Sequence, residues 1–273
     1  MRATIIRRFI PSLLREHLRL AWDLARRDLE AKYKRSVIGP IWLLLTPLGL
    51  LGIYWLVFGL IFGVQWKVPH QPSETIGFLL PFFTGLTVYL TLSDLVNSSC
   101  VLFAAKRTYV KKSSFPIWVL WIANLMRVGI SSGVMISLLL ATALFQHRLT
   151  WFGLAWIAPT LAICTIFLSG LSLFLASLGP FIGDISEAMR LFLRILFYAT
   201  PITYPLSMVP EALRGWMWFN PLTAMVEILR EPIVFGTGPL PALVIGLCLV
   251  SVALLLLSIW VFRRVKGVIP DVV

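Results

Sequence analysis

The run RDLEAKYKRSVIGPIWLLLTPLGLLGIYWLVFGLIFGV, Arg27–Val64, decides the class of fold. Its first nine residues hold four basic side chains, and from Ile38 to Val64 there is no charge at all. About 20 apolar residues of helix cross the ~30 Å hydrocarbon core, where a chain survives only if its own backbone satisfies every N–H and C=O. Ile38–Val64 meets that length. Upstream, ten of the chain's 24 Lys and Arg residues fall in the first 35 positions. Positive charge collects on the cytoplasmic side of a span, so the sequence places Met1–Arg35 in or against the cytoplasm.

The rest of the chain extends this pattern. Hydrophobic residues make up 59% and charged ones 13%, about half the charge of a water-soluble domain. Further apolar runs cover Ile76–Phe103, Phe115–Phe145, Phe152–Leu178, a shorter one near Leu191–Met208, and Pro239–Phe262. With the N-terminus inside, the connections hold nineteen basic residues on the cytoplasmic side against four outside, and Arg127 lies within a span. The expected fold is an all-α membrane protein of six spans with both ends cytoplasmic. It divides into an N-terminal interfacial helix (1–37), a six-span domain (38–263) and a cytoplasmic tail (264–273). The net charge of +12 sits at span ends beside anionic headgroups, which argues against nucleic acid. Cys100, Cys164 and Cys248 lie apart in apolar stretches and read as packing residues. The first apolar run starts some 37 residues in with no A-x-A-like site after it, so the first span is expected to be retained.

Leu14, Leu18, Ala21, Trp22, Ala25 and Leu29 recur at helical spacing, with Arg15, Arg19, Arg26 and Arg27 on other faces. That describes an amphipathic helix in the headgroup plane, acting as an anchor or at the mouth of a transport path. After the fifth run, Thr200-Pro201 and Tyr204-Pro205 break the helix. Residues 201–237 then combine aromatic and charged side chains and are too polar to span. Asn220-Pro221 opens a short helix that stops at Glu231-Pro232. Two short re-entrant helices at the outer face fit this, as does an ordinary external loop with interfacial aromatics.

Several chemistries lack their residues. The chain has no phosphate-binding G-x-x-x-x-G-K-[ST], no G-x-G-x-x-G, no H-E-x-x-H and no G-x-S-x-G. His17, His70 and His147 are scattered, and Asp94 is the clear intramembrane acid, which suits neither a metal site nor an ion-driven carrier. Energy for any transport is expected from another subunit.

RDLEAKYKRSVIGPIWLLLTP (Arg27–Pro47), YVKKSSFP (Tyr109–Pro116), TPITYP (Thr200–Pro205), NPLTAMVEILR (Asn220–Arg230) and the tail FRRVKGVIPDVV (Phe262–Val273) together resemble the membrane subunit of polysaccharide and polyol-phosphate ABC exporters. The R-D-x-x-x-x-Y-x-x-S-x-x-G-x-x-W run resembles O-antigen exporters most closely. The resemblance implies a homodimer bound to two ATP-binding cassette subunits, with ATP and Mg held by those partners and no cofactor in this chain. It also implies a polyprenyl-linked glycan as substrate and a place in the cytoplasmic (inner) membrane.

Under this resemblance, residues 104–116 look like the coupling loop, with Lys106, Arg107, Tyr109, Lys111, Lys112 and Phe115 meeting the ATPase. A positive-inside loop without a partner accounts for the charges but not for Tyr109 and Phe115. Lys32, Lys34, Arg35, Arg190 and Arg194 stand where the family admits a lipid diphosphate, or they snorkel to lipid phosphates. Tyr54, Trp55, Phe58, Phe62, Phe197, Tyr198 and Tyr204 form either a greasy track for sugar rings or core and belt aromatics. Trp216, Trp218, Asn220, Glu227 and Arg230 are candidates for an external gate.

From helical rise, Arg127 lies within reach of Asp94, and the two are expected to pair. Gly59-x-x-x-Gly63 and Gly129-x-x-x-Gly133 are expected to pack against neighbouring helices. A drug or lipid exporter on the same frame, and a membrane-bound glycosyl or phosphoryl transferase, are the rival readings. The second needs convergent acids that the spans lack.

Overall fold

Glycine and proline set the first boundaries of the fold. Helix α1 (Arg2–Tyr33) ends before Gly39, whose φ of +59° turns the chain, and Pro40 then occupies the first turn of the next helix. The first span begins there as a 3₁₀ turn (Gly39–Ile41), runs through α2 (Trp42–Tyr54) and finishes in a π-helical turn (Trp55–Ile61). The computed structural model describes residues 2–34, 36–68, 71–112 and 115–273, and side-chain surroundings at 14–34, 36–67, 75–112 and 115–273. Arg35 lies outside the described residues.

An antiparallel hairpin follows, β1 (Gln65–Val68) with β2 (Gln71–Gly77), Trp66 standing opposite Ile76. The all-α reading of the sequence overlooked it. Next come α3 (Leu79–Cys100), the one-turn helices α4 (Leu102–Ala105) and α5 (Arg107–Val110), α6 (Trp118–Phe145) and α7 (Trp151–Leu178). The chain continues through α8 (Ile185–Ala199), α9 (Glu211–Met217), α10 (Pro221–Arg230), α11 (Pro241–Val265) and α12 (Ile269–Val272).

This is a helical membrane fold. Five segments, 39–61, 79–100, 118–145, 151–181 and 241–265, are long and apolar enough to cross a bilayer. The fifth apolar run starts earlier than its hydropathy indicates, at Ile185, and stops at Ala199 because Thr200 precedes proline and is extended (φ −110°, ψ 141°). Fifteen residues make about 22 Å of helix, short of the hydrocarbon thickness.

Helix α3 lies at the centre, packed by α6, α7, α8 and α10, while α7 and α11 run closely together. A Cβ on Gly170 of α7 would stand 2.9 Å from the Leu255 backbone, so only glycine allows that approach, and Ser258 donates to the Gly170 carbonyl at 2.8 Å. A second apolar cluster at the other end joins Ala21 and Leu24 of α1, Phe103, Leu120 of α6 and Ile269 of α12.

Of the stripe on α1, Ala21 and Ala25 are buried, joined by Leu24, while Leu14, Leu18 and Trp22 are exposed. Ile269 of the C-terminal segment is fully buried. Gly63, Gly129 and Gly133 have nothing within 4 Å of an added Cβ, and Gly59 meets just its own helix's Trp55, so neither G-x-x-x-G packs within the protomer.

Candidate functional site

The coupling candidates occupy one end of the bundle. Lys106 caps the break between α4 and α5 and forms an ion pair with Asp28 of α1. Tyr109 and Phe115 lie with ring centroids 5.3 Å apart, and a cavity of about 430 Å³ brings Tyr109 and Lys106 together with Arg27, Asp28 and Lys34. The segment thus leans on α1, a contact the sequence reading missed because 78 residues separate Asp28 from Lys106. Arg107, Lys111 and Lys112 are on the same short segment, Lys111 and Lys112 exposed at its end.

The expected pairing of Arg127 with Asp94 is present, Nη1 to Oδ2 at 3.0 Å. It belongs to a longer polar chain through the bundle. Ser172 Oγ of α7 lies 2.7 Å from Ser99 Oγ of α3, and Asn124 Nδ2 of α6 donates to that Ser99 at 3.3 Å. Arg127 Nη2 donates to Asn124 Oδ1 at 3.3 Å, and Lys32 Nζ of α1 lies 3.9 Å from Asp94 Oδ1. Apart from the Arg127–Asn124 link, which lies within α6, each joins helices that lipid cannot hold together through hydrophobicity. The chain ends at a cavity of about 570 Å³ under the join of α1 and the first span. Beside it, partial burial, and then the Asp94 charge, push the Tyr33 phenol above its ordinary value.

The four described entrance candidates, Lys32, Lys34, Arg190 and Arg194, are not gathered. Lys32 lines the cavity beside Asp94, Lys34 lines the one beside Lys106, and Arg190 pairs with Glu187 on α8, one turn before Arg194.

The aromatics of the first and fifth runs do meet. Tyr54 stacks on Phe58 (5.9 Å) and tilts against Phe197 (5.9 Å), Phe58 approaches Phe62 (5.7 Å), and Phe197 meets Tyr198 edge-on (5.2 Å). Phe78, Phe82 and Tyr89 of α3 and its N-cap complete this array, and hydropathy alone did not single them out. Trp55 turns back over Gly59, outside the array. Tyr204 instead donates to the Tyr198 carbonyl at 2.8 Å and lines an almost wholly apolar groove of about 900 Å³ between α8, α9 and the α3–α7 pair.

The gate candidates separate into two groups. Asn220 caps α10, its Oδ1 accepting from Leu222 N at 3.0 Å while Nδ2 donates to Thr200 Oγ1 at 2.9 Å. Trp216 is exposed on α9, and Trp218 is partly so. Glu227 and Arg230, by contrast, are buried and paired. Arg230 donates to the Pro201 carbonyl at 2.9 Å and the Pro81 carbonyl at 3.3 Å, and its guanidinium lies 4.3 Å over the Trp66 ring. One residue therefore ties α10, the break after α8, the start of α3 and the hairpin. It works as a clamp between these four segments. Trp66 was the missed partner, invisible because its signal is a lone aromatic in a polar connection.

Among the described residues no group of three or more His, Cys, Asp or Glu side chains could hold a metal ion. The sequence is 30% identical over 212 residues to the O-antigen export system permease protein RfbA of Klebsiella pneumoniae, covering 76% of this chain and 77% of that protein. It is 26% identical to the RfbA of Myxococcus xanthus over 75% of this chain and 76% of that one. It is also 22% identical to the polysialic acid transport protein KpsM of Escherichia coli, over 77% and 79%. Residues 19–234 match the ABC-2 type transporter family, a stretch that takes in the second half of α1, the polar chain and the Arg230 clamp, and the chain belongs to that family.

Proposed function

We propose that the chain is the permease subunit of an ABC exporter that moves a lipid-linked polysaccharide, an O-antigen or similar surface glycan, outward across the cytoplasmic membrane. The observation that carries this reading is the match to O-antigen and polysialic acid export proteins over three quarters of both chains. In this reading ATP and Mg belong to a separate cassette subunit, and this chain supplies passage and gating. The one-turn α5, with Tyr109 and Phe115 beside it, presents a compact basic and aromatic knob of the kind that seats in a groove of a partner.

Six spans follow if α8 crosses together with the chain that continues it to Met208, which leaves both termini cytoplasmic and puts α9 and α10 at the outer face as re-entrant helices. The first span and α8 carry exposed apolar faces, including Ile53, Leu60, Leu191 and Ile195, that a second copy would cover to make a homodimer. Aromatics from Phe62 to Tyr198 would then border the path. Lys34, Arg35, Arg190 and Arg194 would receive the carrier's phosphates.

Deleting the gene in its own cell tests the function. Surface glycan should disappear while its lipid-linked precursor accumulates inside; an unchanged surface would overturn the reading. Tyr109→Ala should reproduce that phenotype with the protein still folded and inserted, because it removes an aromatic anchor of the coupling segment.

A further inference from the structure

The cavity at the inner end of the polar chain has chemistry that the export reading does not use. Its walls come from the end of α1, the start of the first span, α3 and α6. One end holds Lys32, Tyr33, Ser36 and Asp94, and farther in the apolar Leu90 and Met135 alternate with Thr91, Ser131 and Ser132. The lining runs from the end of α1 into the bundle.

The polar end is built for an anion. Ser36 Oγ already accepts from Trp42 Nε1 at 2.9 Å and from Gly39 N at 3.3 Å, so its own proton is left to donate. Lys32 Nζ is held loosely, 3.9 Å from Asp94, whereas Asp94 is engaged at 3.0 Å by Arg127. Farther in, Thr91 and Ser132 give their protons to helix carbonyls at 2.8 and 3.2 Å, which leaves oxygen lone pairs as acceptors. Lys32 and Arg127 against Asp94 leave one positive charge among the described side chains. A single phosphodiester balances it; a diphosphate overshoots, and a zwitterionic headgroup leaves the lysine unmatched.

We propose that this cavity seats a resident membrane phospholipid with one negative charge and a hydroxyl-bearing headgroup, phosphatidylglycerol in chemistry, distinct from the exported cargo. Its phosphate takes the protons of Lys32 and Ser36, its headgroup hydroxyls meet the acceptors on α3 and α6, and one acyl chain lies along Leu90 and Met135. The lipid wedges α1 against the first span.

The test is native mass spectrometry on the detergent-purified full chain, titrated with dioleoyl phosphatidylglycerol and, separately, dioleoyl phosphatidylcholine. One phosphatidylglycerol should be retained per chain, with about tenfold or greater preference, the scale of one charge-assisted hydrogen bond. Lys32→Gln and Ser36→Ala should each erase most of that preference. Lys32→Arg should keep it, and so should Lys266→Gln, which removes the same charge far from the cavity. Should Lys32→Gln fail to fold, Ser36→Ala alone decides. Equal retention of the two lipids, or an undiminished preference in Ser36→Ala, would overturn the proposal. So would displacement of phosphatidylglycerol by equimolar polyprenyl diphosphate, which would make the cavity a cargo site.

Discussion

Helix α3 and the first span are near neighbours with opposite fates. Of the most apolar stretch of α3, 67% is buried inside the protein, against 11% for the first span, although the first span is the more apolar of the two. In water the order would be reversed. In a bilayer, lipid tails satisfy an apolar face as well as protein does, so burial goes to the helix that has bonds to make. Helix α3 carries Tyr89, Asp94 and Ser99, each bonded to another helix, while the described side chains of the first span make no ion pair and a single hydrogen bond, from Trp42 to Ser36 at its start.

The sharpest way to break the contrast is at the clamp on the N-terminal end of α3. Arg230→Leu leaves Glu227 buried without its partner and strips the donors from the Pro81 and Pro201 carbonyls. The expected loss is about 3–5 kcal/mol, read as a fall in thermal stability in detergent and in the yield of folded protein. Arg230→Lys should recover little, because a single ammonium cannot span two carbonyls, a carboxylate and an indole face.

At the other end of α3, Arg127→Asp should cost about 2–3 kcal/mol, less than at the clamp because Asp94 keeps 31% of its side chain exposed. Combining it with Asp94→Arg restores the pair but sets the new cation against Lys32. Thermal unfolding of the double swap should therefore recover only part of the loss, and adding Lys32→Gln should recover more. If the double swap is no better than either single one, the polar chain is not held by charge.

The sequence made the spans and the Arg127–Asp94 pair legible because both follow from rise per residue and from the cost of charge in hydrocarbon. It did not make the clamp legible. Glu227 and Arg230 were readable as an i, i+3 pair on a short capped helix, but their burial depends on Trp66, Pro81 and Pro201, up to 164 residues away in the chain, and no local pattern announces that meeting. The break at Thr200-Pro201 was legible, but the start of that helix was not, because Glu187, Arg190 and Arg194 lower the hydropathy of a segment that is already helical from Ile185. Entrance cations clustered by sequence fell into separate places because Lys32 and Lys34, two residues apart on a helix, point about 200° from each other.

A smaller effect is expected where α1 meets the proposed coupling segment. Asp28 and Lys106 keep about a quarter of their surface, 27% and 25%, so breaking the pair with Asp28→Lys should cost about 1 kcal/mol. Its value lies in the cycle with Lys106→Asp. If the pair carries motion from α5 to α1, the double swap restores export in a surface-glycan assay along with stability; if it is a passive contact, export is indifferent to both single changes.

The smallest effect belongs to the first span, and it tests the comparison itself. Leu60 is 62% exposed, so Leu60→Ala exchanges protein for nothing inside the protomer and should move its thermal stability by less than about 0.5 kcal/mol. A comparable truncation in α3, Leu80→Ala at full burial, should cost about 2–5 kcal/mol. A face that costs so little to alter is either turned to lipid or reserved for a second copy, and the same Leu60→Ala protein separates these by its dimer fraction in detergent. A fall in dimer at unchanged protomer stability marks the first span as the seam. An unchanged dimer leaves it facing lipid, and α8 and α11, which expose Leu191 and Ile195 and Leu249 and Leu256, become the faces to test for bringing two copies together.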